Sequence, residues 1–207
     1  MAVCKHNIFN WKGERRTLVL LLFLYSGVFL SELLFYYFSN EPLVFAESLH
    51  VLSDSLIYIF ALWSSYKSLS KQIYYSKIVG FLQITMGLWV IYNSLQHYIF
   101  NLPSKPHFVI WVGLLSLIAN TISLFLVSEY REKTLYFKVS WIFLRNDFFI
   151  KFLILCSGIA MEYGMSNKIS LFSSIVIAII LIISGKSILN QAKLSQISLS
   201  KKIKQKN

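Results

Sequence analysis

Four ionisable side chains in apolar surroundings carry the chemistry of this 207-residue chain. In the stretch FAESLHVLSDSLIYIFALWSSY, Glu47, His50 and Asp54 are spaced i, i+3, i+7, which stacks them on one face of a helix. A carboxylate and an imidazole four residues apart can point at a common ion, and zinc and similar divalent ions take nitrogen and oxygen ligands, usually four. A second apolar stretch, KVSWIFLRNDFFIKFLILCSGIAM, has Asp147 near its middle. If the two helices pack together, Asp54 and Asp147 meet at a similar depth. Two carboxylates and a neutral imidazole then offer a divalent cation a charge of about minus two, which offsets it where an uncompensated charge is costly.

Two other readings of these groups stay open. The face bearing Glu47, His50 and Asp54 can act as polar glue between helices through hydrogen bonds. Asp147 can also be neutralised by a basic neighbour. Lys151 at i+4 lies on its face of the helix, whereas Arg145 at i−2 points elsewhere.

The elements that must position these groups are membrane helices. The composition is 56% hydrophobic and 16% aromatic, too apolar for a soluble domain of this size. Six stretches of roughly 20 residues each are apolar enough to cross a hydrocarbon core, near 17–38, 43–66, 75–99, 108–128, 139–161 and 169–189. The expected fold is therefore an all-α integral membrane protein, a six-transmembrane-helix bundle. Its segments are a basic amino-terminal stretch over 1–16, the helical domain over 17–191 and a basic tail over 192–207 that is solvated or lies on lipid. The first span follows Lys12, Arg15 and Arg16 like a secretory leader, but it is too long for one and lacks a small-x-small cleavage site.

The net charge of +11 is distributed unevenly. Lys5, Lys12, Arg15, Arg16, Lys67, Lys71, Lys77, Arg131, Lys133, Lys138, Lys186, Lys193, Lys201, Lys202, Lys204 and Lys206 fall on one side of the six-span arrangement. The opposite loops hold only Lys105 and Lys168. This asymmetry predicts both termini in the cytoplasm, with the tail facing anionic lipid, and it removes the need for a nucleic-acid partner. Cys4 and Cys156 are the only cysteines, too few for a disulfide framework or a thiolate cluster.

Smaller polar positions read as packing. Gln83 and Asn120 are expected to hydrogen-bond to neighbouring helices, with Asn120 also a candidate to line a hydrophilic path. Glu32 lies near the outer end of the first span, within reach of Arg145 or a vestibule; His97 and His107 flank the third loop at the interface. Gly80, Gly87, Gly113 and Gly158 allow helices to approach closely. Phosphate loops, G-x-S-x-G and H-E-x-x-H are absent, so the common hydrolase and nucleotide motifs are excluded. An intramembrane enzyme would have His50 and two aspartates as raw material but no activated nucleophile. No catalytic residue and no cofactor is expected.

Six spans, AESLHVLSDSL in the second, an asparagine in the fourth and Asp147 in the middle of the fifth resemble the cation diffusion facilitator (cation efflux) family. The resemblance covers most of the chain and implies export of zinc, cobalt, cadmium, manganese or iron in exchange for protons. It implies His50, Asp54 and Asp147 as metal ligands, with Glu47 where many members have an acidic residue one turn earlier. Phe143 stands four before Asp147, where the family has a ligand, so Glu47, Asn146 or water would have to complete the set. The Arg-Asn-Asp wording of SWIFLRNDFF is similar to a short subgroup of the family, and the expectation is a chain lacking the family's usual carboxyl-terminal cytoplasmic domain after Gln191. Any homodimer would then be held by the membrane domain. The expected function is a divalent-cation carrier, zinc or a relative, working by metal–proton antiport in a bacterial inner membrane. The alternative is a non-transporting relative that acts as a partner or regulator, with Asp147 neutralised by Lys151 or Arg145.

Overall fold

A computed structural model describes residues 11–64, 69–129 and 135–204. The described chain is six helices: α1 (Trp11–Ser39), α2 (Pro42–Ser64), α3 (Leu69–Ile99), α4 (Pro106–Ser128), α5 (Leu135–Ala160) and α6 (Ser166–Lys204). The expected all-α bundle is present, and the spans read from hydropathy fall inside these helices to within a few residues. Five of the six helices are long and apolar enough to cross a membrane. α5 is the exception because Arg145, Asp147 and Lys151 interrupt its apolar run.

Local chemistry explains where the helices stop and start. Asn40 and Asn101 adopt the left-handed conformation, with φ of 54° and 46°, a geometry that asparagine tolerates better than most residues. The Asn40 amide donates to the Tyr36 carbonyl at 2.7 Å, satisfying the end of α1. Pro42 and Pro106 then open α2 and α4, where their missing amide hydrogen costs nothing. Gly164, at φ 111°, supplies the turn between α5 and α6.

α1 packs on α2, α4 on α5, and α3 on α6. The α3–α6 contact is close because both sides lack a side chain. A Cβ on Gly80 would lie 2.8 Å from the Gly185 carbonyl oxygen, and one on Gly185 would lie 2.6 Å from that of Gly80. Gly113 of α4 and Gly158 of α5 allow the same approach between their helices. At about 1.5 Å per residue, the 31 residues of α3 and 39 of α6 exceed a bilayer core of about 30 Å. Away from the turn end the two helices are joined by Lys77 Nζ donating to Gln196 Oε1 at 2.7 Å. The tail read as solvated or lipid-bound thus continues α6 as helix to Lys204, with Ala192 buried.

Two apolar clusters bracket the bundle. One, with Leu43, Val44, Val109, Val112, Ile154 and Ile177, lies towards the turns joining α1–α2, α3–α4 and α5–α6. The other, with Leu21, Tyr25, Val51, Tyr58, Ala119 and Leu144, lies deeper between α1, α2, α4 and α5. The turn end is itself knotted by polar contacts. Glu41, fully buried, accepts from the Lys105 backbone amide at 3.1 Å and from the Ser170 hydroxyl, while the Lys105 ammonium donates to the Phe38 carbonyl at 2.8 Å.

Candidate metal centre

Asp54, Asp147 and Asn120 reach one level because their helices deliver them there. Counting about 1.5 Å per residue from the turn end, His50 lies about 12 Å deep, Asp54 about 18 Å, Asp147 about 20 Å and Asn120 about 21 Å. All four are buried. His50, Asp54 and Asp147 each present a ligand atom within 4.8 Å of the others.

Asp147 is the hub. His50 Nε2 lies 2.7 Å from its Oδ1, and Asn120 Nδ2 donates to its Oδ2 at 2.7 Å. A separation of 2.7 Å between an imidazole nitrogen and a carboxylate oxygen needs a proton between them. Asp54 Oδ2 and His50 Nδ1, by contrast, are buried with no hydrogen-bond partner among the described residues. Ligand atoms of a tetrahedral zinc stand about 3.3 Å apart, given bonds near 2.0 Å. The cluster is therefore contracted on its protonated His50–Asp147 edge and wide enough elsewhere to close around an ion.

Glu47 is placed differently from its helix neighbours. Its Oε1 lies 2.6 Å from Lys151 Nζ, and both side chains are completely enclosed. Lys151 lies farther from Asp147, at 3.6 Å from Oδ2. The expected i,i+4 proximity of Lys151 to Asp147 is thus present, but the nearer partner is Glu47 on another helix. Sequence spacing could not show this, because it measures distance along α5 alone. Glu47, about 8 Å deep, sits nearer the turn end than the three grouped ligands, and Lys151, about 14 Å deep, lies between the levels of His50 and Asp54.

Arg145 is exposed on the outside of α5, its guanidinium 5.3 Å from the Trp141 ring centroid, so it neutralises neither Asp147 nor Glu32. Glu32 is fully buried, and both of its oxygens lack a hydrogen-bond partner among the described residues. His97, in the last turn of α3, is buried, whereas His107 is exposed beside Phe108. Gln83 hydrogen-bonds to Ser53 of α2, as its place in α3 suggested. The side chains of Phe143 and Asn146 lie outside the described residues. The direct bond from Asn120 to Asp147 was not read from the sequence; the available signal was their equal depth on neighbouring helices.

A bundle of apolar helices around a buried carboxylate and imidazole centre defines an integral, multi-pass membrane protein. Residues 18–194 match the cation efflux transmembrane domain, and the chain belongs to the cation efflux family. It is a metal cation transporter and not an enzyme. No curated protein is similar enough to match the chain.

Proposed function

We propose that the chain exports a divalent cation of the zinc type in exchange for protons, with His50, Asp54 and Asp147 as its ligands. The observation that carries the reading is the 2.7 Å contact between His50 Nε2 and Asp147 Oδ1 inside a three-ligand cluster. An ion that takes these two atoms replaces the proton joining them, so metal and proton compete for one place. Charge supports the same ion class. Lys151 balances Glu47 at 2.6 Å, which leaves Asp54 and Asp147 to offer about minus two to the cargo. The preference of Lys151 for Glu47 also supports transport over a regulator role in which Asp147 is silenced.

The cycle then needs alternating exposure of the site. From one face metal enters and displaces the proton. From the other, protons return to His50 and Asp147 and expel the metal. The Lys and Arg distribution favours cytoplasmic termini, and with them export from the cell across a bacterial inner membrane. A homodimer would be formed through the membrane helices.

The test is zinc flux into sealed vesicles containing the pure protein, with and without a pH gradient, paired with proton release on zinc binding in detergent. Flux that follows the gradient, with at least one proton released per ion, is expected. Binding that releases no proton would show that the ring keeps its bond to Asp147, and would overturn the exchange mechanism.

A further inference from the structure

Asn120 carries an atom that the three-ligand site does not use. Its side chain is completely buried in α4. Nδ2 donates to Asp147 Oδ2 at 2.7 Å. A carboxylate oxygen already held near Lys151 and sharing its group with His50 is an acceptor, so the amide must turn its NH2 edge towards it. That fixes Oδ1 on the other side of the amide. Oδ1 is buried and has no hydrogen-bond partner among the described residues.

A buried amide oxygen without a donor costs on the order of 1–3 kcal/mol, so an atom held there by a well-made bond on its other side calls for a partner. Two donors at the cluster are turned away from it: the Asn120 amide faces Asp147, and His50 Nε2 lies against Asp147 as well. A cation held by the cluster would supply that partner. His50, Asp54 and Asp147 supply three ligand atoms, one short of the usual four for zinc. Asn120 stands at the depth of Asp54 and Asp147 and is bonded to one of them.

We infer that Asn120 Oδ1 is the fourth ligand of the transported cation, giving a set of one imidazole nitrogen, two carboxylate oxygens and one amide oxygen. This rests on the transport reading above and deepens it by naming the cargo class. The added ligand is neutral, so the charge offered stays at about minus two. It is also a hard oxygen, which suits manganese better than a second imidazole would and leaves zinc and cobalt acceptable. The site is therefore one for divalent ions of intermediate to hard character. Nδ2 has a separate task, since it holds Asp147 in place for the same ion.

Affinity alone does not separate a ligand from a residue that positions one, because outer partners of metal ligands typically cost about 10–100-fold when lost. The spectrum of bound cobalt does. The full chain, purified in detergent, is titrated with Co(II) and followed by its visible absorption, with thermal unfolding as the check on folding. The wild type is expected to show the intense bands of a four-coordinate ion. Asn120→Ala should bind about 10–100-fold more weakly or worse, with bands weakened and shifted as water takes the empty place. An unchanged spectrum in Asn120→Ala, whatever the affinity, overturns the inference and leaves Asn120 a positioning residue. Should that variant fail to fold, Asn120→Asp decides: a carboxylate on the metal shifts the bands, and bands identical to wild type overturn the inference. A wild type that binds no cobalt, zinc or manganese would instead overturn the transport reading itself.

Discussion

Replacing Lys151 by methionine removes the ammonium from between Glu47 and Asp147 while keeping an unbranched side chain of similar length. The nearer contact, 2.6 Å to Glu47 Oε1, is worth about 6 kcal/mol of gross Coulomb attraction at an effective dielectric of 20. Part of that only repays the desolvation of two enclosed charges. The net cost of breaking a buried pair from one side is about 3–5 kcal/mol, because the remaining charge is stranded. Removing both charges together, in Glu47→Gln/Lys151→Met, strands nothing and should recover most of the loss. Denaturant unfolding of the four proteins of this cycle in one detergent measures the coupling directly. Metal binding adds a second readout. The ammonium lies 3.6 Å from Asp147 Oδ2, so its removal should raise zinc affinity by about 1–3 kcal/mol, roughly 5- to 150-fold. A single variant that loses less than about 1 kcal/mol, or a double variant whose losses simply add, would refute the buried pair. Weaker zinc binding in a folded Lys151→Met protein would show that the lysine supports the site and does not compete with the ion.

Asp54→Ala should abolish metal-dependent proton release while leaving folding intact, because its Oδ2 has no hydrogen-bond partner among the described residues to lose; isothermal titration in buffers of different ionisation enthalpy checks it. His50→Ala should weaken zinc binding more than manganese binding, since imidazole favours the softer ion, and equal losses would argue against direct ligation. Glu41→Ala removes the acceptor of Lys105 and Ser170 at the turn end and should cost about 1.5–3 kcal/mol in unfolding experiments, with Glu41→Gln retaining part of it. Reporter fusions at Asn207 should read cytoplasmic and fusions near Ser104 external; an external carboxyl terminus would contradict the charge argument.

Composition and periodicity were enough to establish the kind of protein and its helices. Apolar runs long enough to span a bilayer have few alternatives to helix, because backbone groups in lipid must be satisfied within the segment. The cost of ionisable groups in such runs likewise marked His50, Asp54 and Asp147 as belonging together, and the described structure groups those three. Spacing along one helix, however, reports only which residues share a face. It put Glu47 with His50 and Asp54, and Lys151 with Asp147, and was right about each face. It could not say that Glu47 and Lys151 would meet each other across α2 and α5, since that depends on how two helices are rotated and staggered against each other. The same limit hid the bond of Asn120, whose amide meets Asp147 across the two helices that Gly113 and Gly158 allow to approach closely. Chain order fixed the depth of every polar group in the bundle; only the packing of the helices decided which charge each one faces.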